Sequence, residues 1–298
     1  MWVRASGPIS ESTLQLTLVA SSHLIVAGEF AALIDTGVAP DSARLVEGVR
    51  SALESGLPFE FVLLTHASFK TVGGLPALRT HYPQIRVLAS PATQEMLSGD
   101  EFLRGCYDLN VAAAEAMKER VSESFDVWRE AVKIDQIVRD GDSVMLGGGV
   151  EIKVIAAPGY SSDSHCYFVR PDSILAAGQA AGNYAGRDKH FFVFHHSVED
   201  YLSSLDKLAT LELKALILPH SGALTGELSH LSLKKMREDV VRFVDNVRLR
   251  LAQGELVDDI YGSLYSDWLE QGATPDGPFA DRTRDGLKRM IELIAAQA

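Results

Sequence analysis

The chain has 298 residues and a formal net charge of −12, a length that permits one large domain or two small ones and a charge that repels nucleic acid in bulk. Apolar residues make up 46% and charged residues 23%, an ordinary globular balance, and no apolar run reaches the roughly 18 residues of a membrane span. Cys106 and Cys166 are the two cysteines, too few for a disulfide framework, and Met1-Trp2-Val3-Arg4 lacks signal-peptide character, so a cytoplasmic protein without nucleic-acid or membrane partners is expected.

In chain order, Leu14 to Val19 alternates, and Leu24 to Val26 and Ala31 to Ile34 follow as short apolar runs. Turn formers bound each of them, which predicts strands, the last ending at Asp35-Thr36-Gly37. Ser42 to Ser55 reads as a helix with Leu45, Val49 and Leu53 on one face. Phe61 to Leu64 is an apolar run of buried-strand length that ends at Thr65-His66; helix signals resume near Gly74, and Ile85 to Leu88 is the next strand. Residues 107 to 131 are helical in character. Strands return between Gln136 and Ala177, with turns at Asp140-Gly141-Asp142 and Gly147-Gly148-Gly149. A helix over Val198 to Leu208 precedes the strand Ala215 to Leu218. Leu233, Met236, Val240, Val244, Val247 and Leu251 then repeat at helical spacing, with Gly254 as a C-cap. Further helices are expected over Val257 to Leu269 and Arg282 to Ala296, around a loop at Gln271 to Gly277.

Alternating strands and helices imply crossover connections and partly parallel pairing. Two such halves predict two sheets packed face to face with helices outside, an α/β (α+β) sandwich of four αββα layers spanning about residues 10 to 225. The expected organisation is a sandwich domain over residues 1–226 and a helical C-terminal extension over 227–298 packed on that core.

One segment carries a resemblance. Leu63-Leu64-Thr65-His66-Ala67-Ser68-Phe69-Lys70-Thr71-Val72-Gly73-Gly74 resembles the metallo-β-lactamase superfamily signature T-H-x-H-x-D-H-x-G-G. Leu33-Ile34-Asp35-Thr36-Gly37, Ala157-Pro158-Gly159-Tyr160-Ser161, Ala177-Gly178-Gln179-Ala180 and Leu218-Pro219-His220-Ser221-Gly222 are similar, in the same order, to further landmarks of that family. The resemblance spans about residues 14 to 226 and implies the same αββα sandwich. In the family these segments supply the ligands of two metal ions. Here His66 stands at one ligand position, but Ser68, Lys70, Thr71, Tyr160, Gln179 and Ser221 stand at the others, with His220 one residue early. Zinc and iron need imidazoles, thiolates or carboxylates. An ammonium about 4 Å from a divalent ion costs on the order of 8 kcal/mol at an effective dielectric of roughly 20. No metal and no cofactor are therefore expected, beyond an adventitious ion at His66 and His220.

Several residues carry two readings each. Asp35 suits a structural anchor at a strand end more than catalysis. Thr71 suits the cap of the helix that the chain enters at Gly73-Gly74, and a helix start there favours anions. His66 is either a relict held by its neighbours or a general base; nothing in the sequence orients a nucleophile against it. Ser68 and Lys70 can in principle act as nucleophile and base, and Tyr160 can donate to an oxyanion or simply pack. His195 and His196 follow Phe191-Phe192-Val193-Phe194; read as a strand, they face opposite sides and suit a pocket rim better than one metal. Cys166 suits a buried, inert thiol.

The candidate catalytic set is His66, Ser68, Lys70 and Tyr160, and the candidate ligand-binding set is Thr71, Gln179, His220, Ser221, His195 and His196. Such neutral-to-positive groups predict a metal-free pocket for a small anionic or acyl molecule, ester-like or thioester-like. The alternatives are a metal-independent or weakly metal-dependent hydrolase or lyase of esters, thioesters or lactones using His66, Lys70 or Tyr160, and a protein-interaction module built on the helical tail.

Overall fold

The computed structural model describes the chain apart from residues 19–21, 27–28, 54–55, 187–188, 271–279 and 298, and apart from the side chains of 22–26, 270 and 280–284. The expected loop at Gln271 to Gly277 lies outside the described residues.

The first sheet grows from the early apolar runs. Its strands β2 (Gly7–Pro8), β3 (Thr13–Leu16), β4 (Ser22–Val26), β5 (Ala31–Ile34), β6 (Phe59–Leu63), β7 (Arg86–Ala89) and β8 (Gln136–Ile137) lie side by side in that order. Pairing is antiparallel as far as β5 and parallel from β5 to β8. Parallel neighbours need crossovers, and helices supply them. Helix α1 (Ser42–Ala52) joins β5 to β6, α2 (Phe69–Val72) and α3 (Leu75–His81) join β6 to β7, and α4 (Pro91–Ser98), α5 (Asp100–Ala116) and α6 (Phe125–Ala131) join β7 to β8. Their apolar faces, with Leu45, Val49, Leu75, Leu103 and Trp128, cover Leu33, Val62 and Val87 on one face of the sheet.

The second sheet runs β1 (Trp2–Val3), β16 (Gly222–Thr225), β15 (Ala215–Leu218), β12 (Ile174–Ala176), β11 (His165–Arg170), β10 (Val150–Ala156) and β9 (Ser143–Gly147). A separate hairpin joins β13 (Asn183–Gly186) and β14 (Lys189–Phe191). Successive strand residues face opposite sides, and that period assigns the layers. Ile34, Leu63 and Leu88 of the first sheet meet Ile152, Val154, Tyr167 and Ile217 of the second. The alternate residues Cys166, Phe168, Leu175, Leu216 and Leu218 face the other way. They are covered by α7 (Val198–Ala209), α8 (Glu227–Ala252), α9 (Val257–Glu270) and α10 (Ala280–Ala295), through Leu205, Met236, Val244, Ile260 and Ile291. The layers are helix, sheet, sheet, helix. Each such buried aliphatic side chain contributes about 1.5–3 kcal/mol relative to exposure.

Three local differences from the sequence reading have physical causes. The helical stretch of residues 107 to 131 is two helices. The first begins earlier, where Asp100 and Glu101 complement the helix start, and it ends at Ala116, just before Lys118 takes a left-handed turn with φ 58°. The N-terminus crosses to the second sheet, where Trp2 pairs with Leu224; two residues are too few to show a period. Only Lys189–Phe191 of the 189–196 run is strand, so His195 and His196 follow the hairpin rather than lie in it. Among the described residues no helix is long and apolar enough to cross a membrane.

Candidate functional site

Strands β5 and β6 are parallel neighbours with Ile34 beside Leu63, so the residues after each strand meet at one end of the sandwich. Asp35 takes a left-handed turn, φ 57°, a conformation Asp adopts more readily than most residues. Its carboxyl then faces Thr65. The Thr65 amide donates to Oδ1 at 2.8 Å, and Thr65 Oγ1 lies 2.7 Å from Oδ2. The same hydroxyl lies 2.9 Å from His66 Nδ1. Burial pushes the Asp35 carboxyl up to about 7, although both Thr65 bonds pull it down. Thr65 is wedged from behind by Gly178, whose φ is +50° and where a Cβ would sit 2.8 Å from Thr65 Cβ.

His66 is 5% exposed. Its imidazole is pushed down to about 4, chiefly by burial; Asp163 opposes the shift, while Lys70 and His195 add to it. A ring ladder leads outward: His66 and Tyr160 meet edge to face at 5.2 Å, and Tyr160 and His195 do the same at 5.2 Å. The Tyr160 turn is anchored by Gly159, φ +133°, which lies so close to Tyr201 that a Cβ would be 2.3 Å from its Cα. The His195 amide donates to the Tyr160 carbonyl at 2.9 Å and the His196 amide to the Gly159 carbonyl at 3.2 Å. The turn and the segment after the hairpin therefore hold each other.

The remaining candidates divide. Thr71 caps neither helix: Gly74 stands at the N-cap of α3 with no side-chain cap, and Ser68 caps α2, accepting the Lys70 amide at 3.3 Å. The Thr71 hydroxyl donates instead to the carbonyls of His66 and Ser68, at 2.7 and 2.9 Å. Because α2 has four residues, its dipole is slight, and the positive charge of this corner rests on Lys70. Gln179 Nε2 lies 2.9 Å from His220 Nε2, and Gly178 next to that pair abuts Thr65. Ser221 Oγ accepts the Tyr184 amide at 2.8 Å, while its carbonyl accepts Trp2 Nε1 at 2.5 Å. His196 turns to Asp200 at 3.6 Å. The structure thus brings together His66, Lys70, Tyr160 and His195, with Gln179 and His220 adjoining. The side chains of Ser68, Thr71, Ser221 and His196 are engaged in backbone bonds or an ion pair beside them.

Sequence reasoning missed Asp163. It is 1% exposed, its Oδ2 accepts the Ala67 amide at 2.6 Å and the Thr93 hydroxyl at 2.8 Å, and its Oδ1 has no hydrogen-bond partner among the described residues. The signal was a polar run, Ser161 to His165, set between apolar strands. Sequence reasoning also missed a second histidine network. His190, on β14 and facing α8, lies 2.9 Å from Ser232 Oγ through Nε2 and 3.3 Å from Asp239 through Nδ1. Ser232 is 3% exposed, too buried to meet a substrate. Cys166 is buried, and its thiol is pushed up to about 12 by that burial, which makes it inert.

Two clefts, of about 490 Å³ beside Val46 and Pro76 and about 450 Å³ beside Leu97 and Val132, open elsewhere on the helices over the first sheet. The interest of the His66 corner lies in its chemistry rather than in its volume. That chemistry does not fit a two-metal centre. Among the described residues no group of three or more His, Cys, Asp or Glu side chains is arranged to hold an ion. Serine, threonine and glutamine offer only neutral donors, and Lys70 adds positive charge.

Comparison with known proteins bears on the fold. The model of the metallo-beta-lactamase superfamily matches residues 17–220. The lactamase-like protein adaB of Aspergillus niger is 24% identical over 274 residues, which cover 86% of this chain and 71% of that protein. A metallo-beta-lactamase family protein from Thermus thermophilus superposes with a TM-score of 0.61 at 18% identity, covering 98% of this chain and 93% of its own. A Cronobacter sakazakii metallo-beta-lactamase with a HARLDQ motif gives 0.57 at 17% identity, covering 82% and 99%. With the strand order, the corner at the strand ends and a family match over most of its length, the chain belongs to the metallo-beta-lactamase superfamily.

Proposed function

We propose that this chain uses the superfamily fold without its dinuclear metal centre, and that the His66 corner binds a small anionic or acyl metabolite, ester-like or thioester-like. One observation carries the reading: Lys70, which the motif resemblance puts at a family carboxylate position, lies close enough to His66 to lower its proton affinity. Its ammonium then supplies the positive charge that metals supply elsewhere in the family. Tyr160 and Gln179 offer hydrogen bonds to an oxygen held there. A net charge of −12 makes this local cation more discriminating, since the rest of the surface repels anions. On the same reading the helices after residue 226 extend the sandwich domain and share its core.

A second reading is favoured by the state of His66. A buried, neutral imidazole beside a lysine and a tyrosine is equipped for acid–base work, so a metal-independent hydrolase or lyase of esters, thioesters or lactones is the alternative.

The test combines elemental analysis after brief chelation with calorimetric titration of butyrate. The expected result is less than one equivalent of zinc, iron or manganese, together with butyrate binding that weakens with salt. A full equivalent of tightly held metal, lost in His66→Ala, would overturn the metal-free reading. Butyrate affinity indifferent to salt and to Lys70→Ala would overturn the anion reading.

A further inference from the structure

The segment after the β13–β14 hairpin alternates in burial. Phe192 and Phe194 are 6% and 0% exposed, while Phe191 and Val193 are half-buried and His195 is exposed. That alternation puts Phe191, Val193 and His195 in a row on the side away from Phe192 and Phe194. The last two helices lie along this row. Trp268 of α9 meets Phe191 edge to face at 5.9 Å. Gly286 of α10 meets the rest of it: a Cβ there would sit 2.9 Å from Val193 Cγ1 and 3.5 Å from His195 Cε1. At its far end the row reaches the His66 corner. There the His195 ring meets Tyr160 at 5.2 Å, and the His195 amide donates to the Tyr160 carbonyl at 2.9 Å.

Glycine weakens a helix interior relative to alanine, so a glycine kept there calls for a packing reason. Gly262 in α9 has none: among the described residues, a Cβ on it would meet nothing within 4 Å. Gly286 differs. It stands in line, at steps of four, with Met290 and Ile294, both fully buried. It thus continues the buried face of α10 to the point where that face reaches Val193. Val193 branches at Cβ and has little rotamer freedom with which to yield. A methyl group at position 286 would therefore push on the backbone two residues before His195. We infer that Gly286 is a positioning residue: it lets α10 close on Val193 so that His195 stays against Tyr160, and the helical extension becomes the outer wall of the His66 corner. That this wall limits what the corner admits rests on the pocket reading above; the packing role does not.

Carbon–proton NMR of the His195 and Tyr160 rings in the full chain, at one fixed pH, tests the packing without any ligand. Gly286→Ala should shift the signals of both rings. Adding Val193→Ala, which removes the methyl groups in the way, should return them to their wild-type positions. Gly262→Ala, which gives a helix the same gain in propensity with nothing to strike, should leave them unmoved. Ring signals that stay in place in Gly286→Ala, shift as far in Gly262→Ala, or stay shifted in the double variant would overturn the inference. If Gly286→Ala does not fold, the double variant decides alone: folded with wild-type ring signals it supports the inference, and unfolded or shifted it overturns it. Calorimetric titration of butyrate then reads the wall. Affinity should fall a few-fold in Gly286→Ala, less than the roughly tenfold of a methylene placed inside a pocket, and recover in the double variant. Affinity that ignores the displaced rings overturns the wall as a limit on the ligand. If even the wild type does not bind butyrate while the rings shift and recover, the pocket reading fails and the positioning role of Gly286 stands.

Discussion

Two histidine networks in this molecule share their components, a histidine, a hydroxyl and a carboxyl, and differ in their order and in what surrounds them. His66 is joined to the Thr65 hydroxyl and, through it, to the Asp35 carboxyl. His190 is joined to the Ser232 hydroxyl and the Asp239 carboxylate. By composition the His190 network is the closer to a catalytic triad, since it links Ser, His and Asp. Its setting says otherwise. Ser232 lies within the buried face of α8, and Asp239 also faces Lys235 and Arg242 on the same helix. The network fastens α8 to the hairpin. The His66 network lies at strand ends, and its histidine leads through Tyr160 to the exposed His195. The lesson is that wiring between side chains does not define a site; access and local charge do.

The largest expected effect breaks the structural network. His190→Ala should cost about 3–4 kcal/mol, because it leaves Ser232 and Asp239 without their buried partner and opens space under α8. Urea unfolding measures the loss, and butyrate affinity should follow the wild type. A loss below about 1 kcal/mol would mean that α8 is held by its apolar face alone.

The next effect concerns pH and sharpens the contrast from the other side. A buried His66 held down to about 4 contributes stability that is present above its ordinary 6.5 and is lost as pH falls through about 4. An Asp35 held up to about 7 contributes stability that is present below its ordinary 3.8 and is lost as pH rises through about 7. Between these limits the folded chain holds one proton on Asp35 and the unfolded chain holds one on His66, so the two slopes cancel. Asp35→Asn should expose the His66 slope, with up to about 3 kcal/mol lost on acidification. His66→Gln should expose the opposite slope, with stability rising as pH falls from neutrality. Parallel flat profiles in both variants would show that neither group titrates as placed.

Smaller effects separate charge from capping. Lys70→Ala should weaken butyrate binding about tenfold, or roughly 1.4 kcal/mol, with little change in unfolding. Ser68→Ala should cost about 1 kcal/mol of stability through the lost cap of α2. Labelling of Ser68 by a fluorophosphonate would instead revive the nucleophile reading.

Much of this was legible beforehand for identifiable reasons. The strand Ala31–Ile34 is a short apolar run bounded by turn formers and the helix Val198–Ala209 shows its own period, so their places follow from local patterning. The Leu233 to Val247 repeat marked the face of α8 that is buried. Trp2–Val3 could not be read, because its partner Leu224 is remote in the chain. Asp163 sits in a polar run that the sequence shows, but its role is not legible there: it depends on Ala67 and Thr93, which approach it only in the fold.

By itself, then, the sequence determined the layers, the order of the landmarks and which side chains stand in them, Ser68, Lys70, Thr71, Tyr160, Gln179 and Ser221 among them, since side-chain chemistry and period are properties of the chain. Only the tertiary structure decided what those side chains do. Thr71 and Ser221 turn to the backbone while Tyr160 meets His66, because direction depends on the turn each residue sits in. Thr65, unremarked beyond its place in a motif, becomes the bridge between Asp35 and His66, because the ends of two parallel strands bring one hydroxyl within hydrogen-bonding distance of both.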